Sequence, residues 1–279
     1  MGKNPSANVE ILKLNSLEKL KKVIKGRVVG IIARGGSAKI LEERIDEFKD
    51  YNICWASMNV FEAAEGILSR IGKELSLVSD CSTVKNWHTY EPQVRMPRFK
   101  KYLEKDNNLL FISELVIQES FKRDNFFQLF QKHMGKIATI DDVFTHPKSP
   151  DAIWDAPPNS ITLLLAACIA GDAKKIVMFG FDGLAPKAGE TNKMLDHNCI
   201  ETYYRIDLEK EDRMASASTI EFGSLATDSF FFERDWSQIE KIYRKTYEND
   251  CSIVNCSPIT MFTTIKKISY DEVHNEIKS

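Results

Sequence analysis

The sequence predicts an α/β fold, a mostly parallel sheet with helices on both faces and one long lid-like insertion. Three observations point there. Short β-rich apolar runs alternate with stretches of helical spacing through most of the 279 residues. Near the N-terminus a strand-like run, VVGIIA, leads through Arg34-Gly35-Gly36-Ser37 into a helical pattern. Further on, Asn159–Gly183 reads as a compact apolar helix, a stop at Gly171-Asp172, and a buried strand ending Gly180-Phe181-Asp182-Gly183. In an open α/β sheet ligands bind at the carboxyl ends of strands, where these small and acidic residues fall.

The elements follow in order. Residues 1–8 are expected to form a disordered leader, and residues 9–262 one domain. Val9–Lys25 carries Ile11, Leu12, Leu14, Leu17, Leu20 and Ile24 at mostly helical spacing, with Gly26 as its stop. Val28–Ala33 is the first core strand, and Ile40, Leu41, Arg44, Ile45 and Phe48 mark the helix after it. Glycines let a backbone approach a phosphate, and a helix N-terminus supplies free N–H groups, so the turn between them suits an anion. It lacks both GxGxxG and GxxxxGK[ST], so a plain tight turn is the competing reading.

Tyr51–Ser57 is the second strand, and Val60–Ile71 the helix after it. Asn59 between them is either a helix cap or a contact to a base or ribose. Leu75–Val78 is the third strand; Asp80 just beyond it has the same two readings. Lys85–Lys101, with Pro92 and Pro97, is expected to be irregular. Leu109–Ile112 is a fourth strand. Ser113–Met134 is expected to be helical, with Leu115, Phe121, Phe126, Phe127, Leu129 and Phe130 as a core-facing stripe. Ile137–Ile140 is a short strand, and Thr145–Pro158 a proline-punctuated loop.

After the central unit, Leu184–Ser218 is polar, long and without apolar periodicity, which marks a lid or a disordered loop. It follows the site strand, so closure over ligand is expected. Thr227–Tyr247 is helical, and Cys251–Asn255 is the last strand. Residues 263–279 are expected to form a short tail with an acidic helix start at Ser269-Tyr270-Asp271-Glu272.

Composition sets bounds. Charge is nearly balanced, 38 Lys+Arg against 40 Asp+Glu, which argues against a general nucleic-acid binder. A hydrophobic content of 43% supports a packed core. No apolar run reaches the roughly 18 residues of a membrane span, and the N-terminus lacks a signal peptide's apolar stretch. Gly2 with Lys3-Asn4-Pro5-Ser6 only faintly resembles a myristoylation start. The six cysteines include no CxxC pair, so a reducing, cytoplasmic setting is expected and the spacing of structural zinc is missing.

Three pieces in this order carry a resemblance: strand–Arg34-Gly35-Gly36-Ser37–helix; Asn159-Ser160 leading to AACIAGDAKKIVMFGFDG; and the late strand ending Asn255-Cys256-Ser257-Pro258. Together they resemble the superfamily of motility accessory factors and the bacterial sialyltransferases of glycosyltransferase family 42, with related features in archaeal 6-hydroxymethyl-dihydropterin diphosphokinases. The first loop departs from the families' Gly-x-Gly-Pro-Ser-Leu, whereas Ala170-Gly171 and Gly180-Phe181-Asp182 match well. The resemblance implies a Rossmann-like fold of the first glycosyltransferase type. It also implies a transferase that binds a CMP-activated nonulosonic acid and passes the sugar to a glycan or protein acceptor.

By the same resemblance Gly35, Gly36, Ser37, Asn59, Asp80, Asn159, Ser160 and Gly180 would line the nucleotide site. Tyr203 and Tyr204 would hold the leaving phosphate, and Asp182 would lie near the reacting end. His197 would be the general base, with Asp196 and Asp228 nearby in the sequence as rivals; an unperturbed imidazole pKa near 6.5 suits that work, though a solvated loop histidine is the plain alternative. No cofactor is needed on this reading. The families have an asparagine where this chain has Asp80, which tilts toward the alternative: a diphosphokinase using ATP and magnesium with Asp80 and Asp182 as metal-directed carboxylates. A non-catalytic nucleotide-binding protein is a third reading, and a homo-oligomer is compatible with all three.

Overall fold

A computed structural model describes residues 15–33, 35, 37–59, 61–80, 92–113, 117, 123–139, 160–182, 236–237, 239–258, 260 and 262–278. The chain begins with α1 (Ser16–Ile24) and continues β1 (Val28–Ile32), α2 (Ala38–Arg44), a 3₁₀ turn (Ile45–Phe48), β2 (Ile53–Met58), α3 (Glu62–Ser69) and β3 (Leu77–Asp80). Then come α4 (Pro92–Leu103), β4 (Leu109–Ile112), α5 (Arg123–Leu129), a second 3₁₀ turn (Gln131–Lys136) and β5 (Ile137–Thr139). The second half holds α6 (Ser160–Ala170), β6 (Lys175–Phe179), helical residues 236–237 and 239–247 (α7), β7 (Ser252–Asn255), β8 (Lys266–Lys267) and α8 (Tyr270–Lys278).

The eight strands form one parallel sheet in the order β5-β4-β3-β2-β1-β6-β7-β8. Alternate strand residues face opposite sides and feed two cores. Val28, Ile32, Trp55, Val78, Leu110, Val177 and Phe179 pack with residues of α2 to α5 and α8. Val29, Ile31, Cys54, Leu77, Ile176 and Met178 pack with α1, α6 and α7. Helices thus cover both faces, and the strands are buried runs of Val, Ile, Leu and Phe, as parallel strands must be. The order runs outward in both directions from β1, so the connection reverses between β1 and β6. In open parallel sheets such a reversal leaves a crevice at the carboxyl ends of the two strands, here β1 and β6.

Helix α6 is buried from Ile161 to Ala170 and has no polar face. Its end is a Schellman turn: the Asp172 N–H donates to Ile169 O at 3.1 Å and the Ala173 N–H to Cys168 O at 3.1 Å. The left-handed residue is Asp172, with φ 63°, not the expected Gly171. Gly171 serves a different need, since a Cβ there would lie 2.8 Å from Ile24 Cδ1.

Two other expectations, at Lys85–Lys101 and at residues 263–279, are corrected, and two more are met only in part among the described residues. The stretch expected to be irregular contains α4, because Pro92 opens the helix, where a missing N–H costs nothing, and Pro97 lies on its exposed side. Phe99, Tyr102 and Leu103 bury the other side. Of the helix expected over Ser113–Met134, Ile117, α5 and a 3₁₀ turn are helical, while Leu115 and Phe121 lie outside the described residues; Phe126, Phe127 and Phe130 are buried as expected, but Leu129 is 50% exposed. Val9–Lys25 is helical from Ser16; residues 9–14, like the 1–8 leader and the 184–218 insertion, lie outside the described residues. Residues 263–279 are no tail: β8 pairs with β7, and α8 buries Tyr270, Val273 and Ile277 against the sheet.

Helix α8 is fixed by ionic contacts. Ser269 and Glu272 form a capping box, with Ser269 N–H to Glu272 Oε2 at 2.7 Å. Glu276 accepts from Lys175 at 2.7 Å, and His274 Nε2 bonds Glu47 Oε2 at 2.9 Å. Arg44 beside Glu47, then His274, hold the Glu47 carboxyl below its usual range; Lys175 does the same for Glu276. Depressed carboxyl groups stabilise the fold above the unfolded pKa, and that contribution is lost as pH falls below about 4.5. We expect the amide signals of 270–278 to move to unfolded positions before those of β1 and β6 in an acid titration followed by NMR. The early step should vanish in a Glu47→Gln/Glu276→Gln variant. Simultaneous loss of all signals would contradict this.

The described cysteines, Cys54, Cys168, Cys251 and Cys256, are free and buried, and burial pushes each thiol up. They act as small hydrophobes. No helix among the described residues is long and apolar enough to cross a membrane.

Candidate functional site at the sheet reversal

The crevice floor is built by β1 and β6. Beyond β1 the Ala33 N–H donates to Phe179 O at 2.8 Å and the Gly35 N–H to Gly180 O at 2.8 Å, so the two strands stay zipped past their ends. Gly180 takes φ 68°, and a Cβ there would sit 2.7 Å from the Ala38 Cβ. Gly35 has no room for a side chain: its Cβ would lie 2.5 Å from both Gly180 O and Asp182 Oδ2.

Asp182 is 1% exposed and Ser37 4%. The Ser37 N–H donates to Asp182 Oδ2 at 2.9 Å, and the Ser37 hydroxyl donates to Asp182 Oδ1. The Ser37 end of the expected anion loop thus has an internal partner. The amide that a bound phosphate would use already serves the chain's own carboxylate. Phe181, which carries Asp182, is held on both sides: its N–H donates to Ser257 Oγ at 2.7 Å, and its carbonyl accepts from Asn255 Nδ2 at 2.9 Å. Asn255 Oδ1 in turn accepts from the Ser257 N–H at 3.0 Å. The Phe181 ring stacks on Phe262 with centroids 4.1 Å apart. Asn255 and Ser257 were named in the sequence only as parts of a motif. Their signal was two polar residues closing a buried apolar strand.

Asn59, expected as a cap of α3 or a ligand contact, does not cap: Phe61 holds that position, and α3 has no side-chain cap. Asn59 instead takes φ 53°, a left-handed conformation that asparagine tolerates better than most residues. Its N–H donates to Ser79 O at 2.7 Å, and its carbonyl accepts from Arg98 Nη2 at 3.0 Å. Arg98 forks onto Glu62 and lies over the Phe61 ring. The Asn59 Nδ2 donates to Ser160 Oγ at 2.9 Å, joining the end of β2 to the start of α6. Its buried Oδ1 has no partner among the described residues. Asp80 is the last residue of β3 and is buried.

The structure therefore brings Gly35, Ser37, Gly180 and Asp182 together, and pairs Asn59 with Ser160. Gly36, Asn159, His197, Tyr203 and Tyr204 lie outside the described residues. Under the crevice the Tyr270 phenol is pushed up, first by burial and then by neighbouring charges that include Asp182, so it stays protonated. No three His, Cys, Asp or Glu side chains cluster as metal ligands would among the described residues.

No known family profile matches the sequence. No curated protein matches it either. Among solved structures the chain is similar to a point variant of the α-2,3/8-sialyltransferase CstII, with a TM-score of 0.45 and 14% identity over 87% of each chain. It is also similar to an α-2,3-sialyltransferase from Campylobacter jejuni in its apo form, with a TM-score of 0.46 and 14% identity over 88% of this chain and 81% of that one.

Proposed function

We propose that this protein is a glycosyltransferase that takes a nucleotide-activated sugar, of the CMP-linked nonulosonic acid class, into the crevice at the β1/β6 reversal. One observation carries the reading. Residues from widely separated stretches, Gly35 and Ser37, Asn59, Ser160, and Gly180 with Asp182, fall at the carboxyl edge of one parallel sheet on either side of its reversal. In sheets of this kind that edge is where nucleotides bind. The unpartnered Asn59 Oδ1 suits a donor such as the cytosine amino group. The motif resemblance supplies the donor class.

In the proposed reaction an acceptor hydroxyl oxygen bonds to the anomeric carbon as the bond from that carbon to the CMP phosphate oxygen breaks. The hydroxyl proton passes to a base, for which His197 is the proposed group, and CMP leaves as an anion. Charge on the departing phosphate needs hydrogen-bond donors placed in advance. Tyr203 and Tyr204 are proposed for that part, with Gly36 and Asn159 completing the nucleotide site. No cofactor is required.

Thermal unfolding with CMP, CDP, CTP, UDP, GDP, and ATP with and without magnesium tests this. A ligand at about 100 times its Kd adds roughly 2.7 kcal/mol, enough to raise the midpoint by several degrees. The expected result is a rise with CMP or CDP in the absence of metal. A rise only with ATP and magnesium would transfer the proposal to the diphosphokinase. No rise with any nucleotide would overturn both.

A further inference from the structure

We infer that Asp182 is a positioning residue: its carboxylate is the built-in anion that sets the Gly35–Ser37 turn, and a ligand in the crevice is recognised without touching it. Four observations support this. Both carboxylate oxygens are used by one partner, Ser37, through its N–H and its hydroxyl. Both residues are buried, at 1% and 4% exposed, so neither presents its polar atoms to solvent. Among the described residues no Lys or Arg pairs with Asp182, and Ser37 is its hydrogen-bond partner. Finally, the carboxylate stands on a fixed base, because Ser257 and Asn255 grip the backbone of Phe181.

The packing around the carboxylate allows little else. Gly35 passes so close that even a methyl group would meet Asp182 Oδ2 at 2.5 Å. The Gly35 N–H is meanwhile bonded to Gly180 O at 2.8 Å. Turn and carboxylate therefore form one interlocked piece, whose shape is one wall of the crevice. A residue in such a piece acts on ligand through the turn. If instead Asp182 served as base or metal ligand, Ser37 would have to release it.

These two roles separate in a set of variants: Asp182→Ala, Asp182→Asn, Ser37→Ala and the Ser37→Ala/Asp182→Ala double. Asparagine keeps the shape. Its Oδ1 accepts from the Ser37 N–H, and its Nδ2 donates to a Ser37 hydroxyl turned to accept, so two hydrogen bonds survive. Two residues acting through one contact lose their effects non-additively.

The first readout is amide exchange over residues 35–41, which needs no ligand. Exchange there is expected to rise in Asp182→Ala and Ser37→Ala, to rise no further in the double variant, and to stay near wild type in Asp182→Asn. The second readout is the Kd for CMP, and this arm rests on the proposed function. Asp182→Ala should weaken binding about tenfold, the scale of one lost buried hydrogen bond, and Asp182→Asn by less than about threefold.

Unchanged exchange in Asp182→Ala would overturn the inference, as would binding in Asp182→Asn as weak as in Asp182→Ala. If Asp182→Ala fails to fold, Ser37→Ala against Asp182→Asn decides it: exchange must rise in the first and not in the second. If wild type binds no CMP, the proposed donor fails, and exchange alone still decides the role of Asp182.

Discussion

Replacing Gly35 by alanine is expected to lower stability by about 3 kcal/mol and to abolish the nucleotide binding proposed above. The cost follows from what a methyl group would meet. Two of the nearest atoms are Gly180 O and Asp182 Oδ2, both at 2.5 Å. Neither is the loose end of a flexible chain. One is backbone already bonded to the Gly35 N–H, and the other is a carboxylate held by Ser37. The turn must therefore move away, which breaks buried hydrogen bonds worth about 1 kcal/mol each in addition to the strain of overpacking, about 1–3 kcal/mol. At this chain length that amounts to a drop in Tm of roughly 5 °C.

Gly66→Ala is the matching control. Gly66 lies within α3, and nothing stands within 4 Å of a Cβ there. Alanine at this exposed helical site should stabilise by about 0.5–1 kcal/mol. Thermal unfolding of both variants, with and without CMP, is the measurement. A Gly35→Ala protein with unchanged Tm and CMP response would show that the turn is not the rigid wall described here.

The second large effect is expected at Gly30, in the middle of the central strand. A Cβ there would lie 2.7 Å from two ring carbons of Trp55 and 2.9 Å from Ile53 Cγ2. The indole has no room to retreat. It is 1% exposed and packs against Phe48 at 6.2 Å and Phe179 at 5.7 Å between centroids. Gly30→Val should therefore destabilise by about 3 kcal/mol, through overpacking alone, with no hydrogen-bond loss. The cause can be isolated by a double-mutant cycle with Trp55→Leu. Trp55→Leu alone leaves a cavity and costs several kcal/mol. Adding Gly30→Ala to it should cost clearly less than Gly30→Ala in the wild-type background. Equal costs in the two backgrounds would mean that strand propensity, not the ring, sets the requirement for glycine.

Much of the fold was legible because its signals are local. VVGIIA, YNICWAS, the run at Leu109–Ile112 and CSIVN are short apolar stretches that strands fully buried on both faces require, and each is a strand within a residue or two. Helix α6 was legible for the same reason. An unbroken small and apolar run has only one place to go, between a sheet and its covering layer. Where local signals conflicted, the reading failed. Two prolines and many charges hid α4, although one proline opens the helix and the other faces outward. The start of α8 was legible at Ser269–Glu272, but its packing on the sheet was not, because its buried side is only Tyr270, Val273 and Ile277.

The site divides along the same line. That Gly35, Ser37, Gly180 and Asp182 lie at strand ends follows from the sequence alone, since a glycine-bounded turn after an apolar run marks a strand's end. That Asp182 bonds Ser37, 145 residues away, does not. Nor does the link from Asn59 to Ser160 across 101 residues, or the grip of Asn255 and Ser257 on Phe181. By itself the sequence determined the strands, the buried helix and the turns that the site uses. Only the tertiary structure decided that β6 returns to lie beside β1, which carboxylate meets which turn, and that the C-terminus joins the sheet. The physical reason is that strand content is set by neighbouring residues, whereas strand order is set by how all the helices share two faces of one sheet.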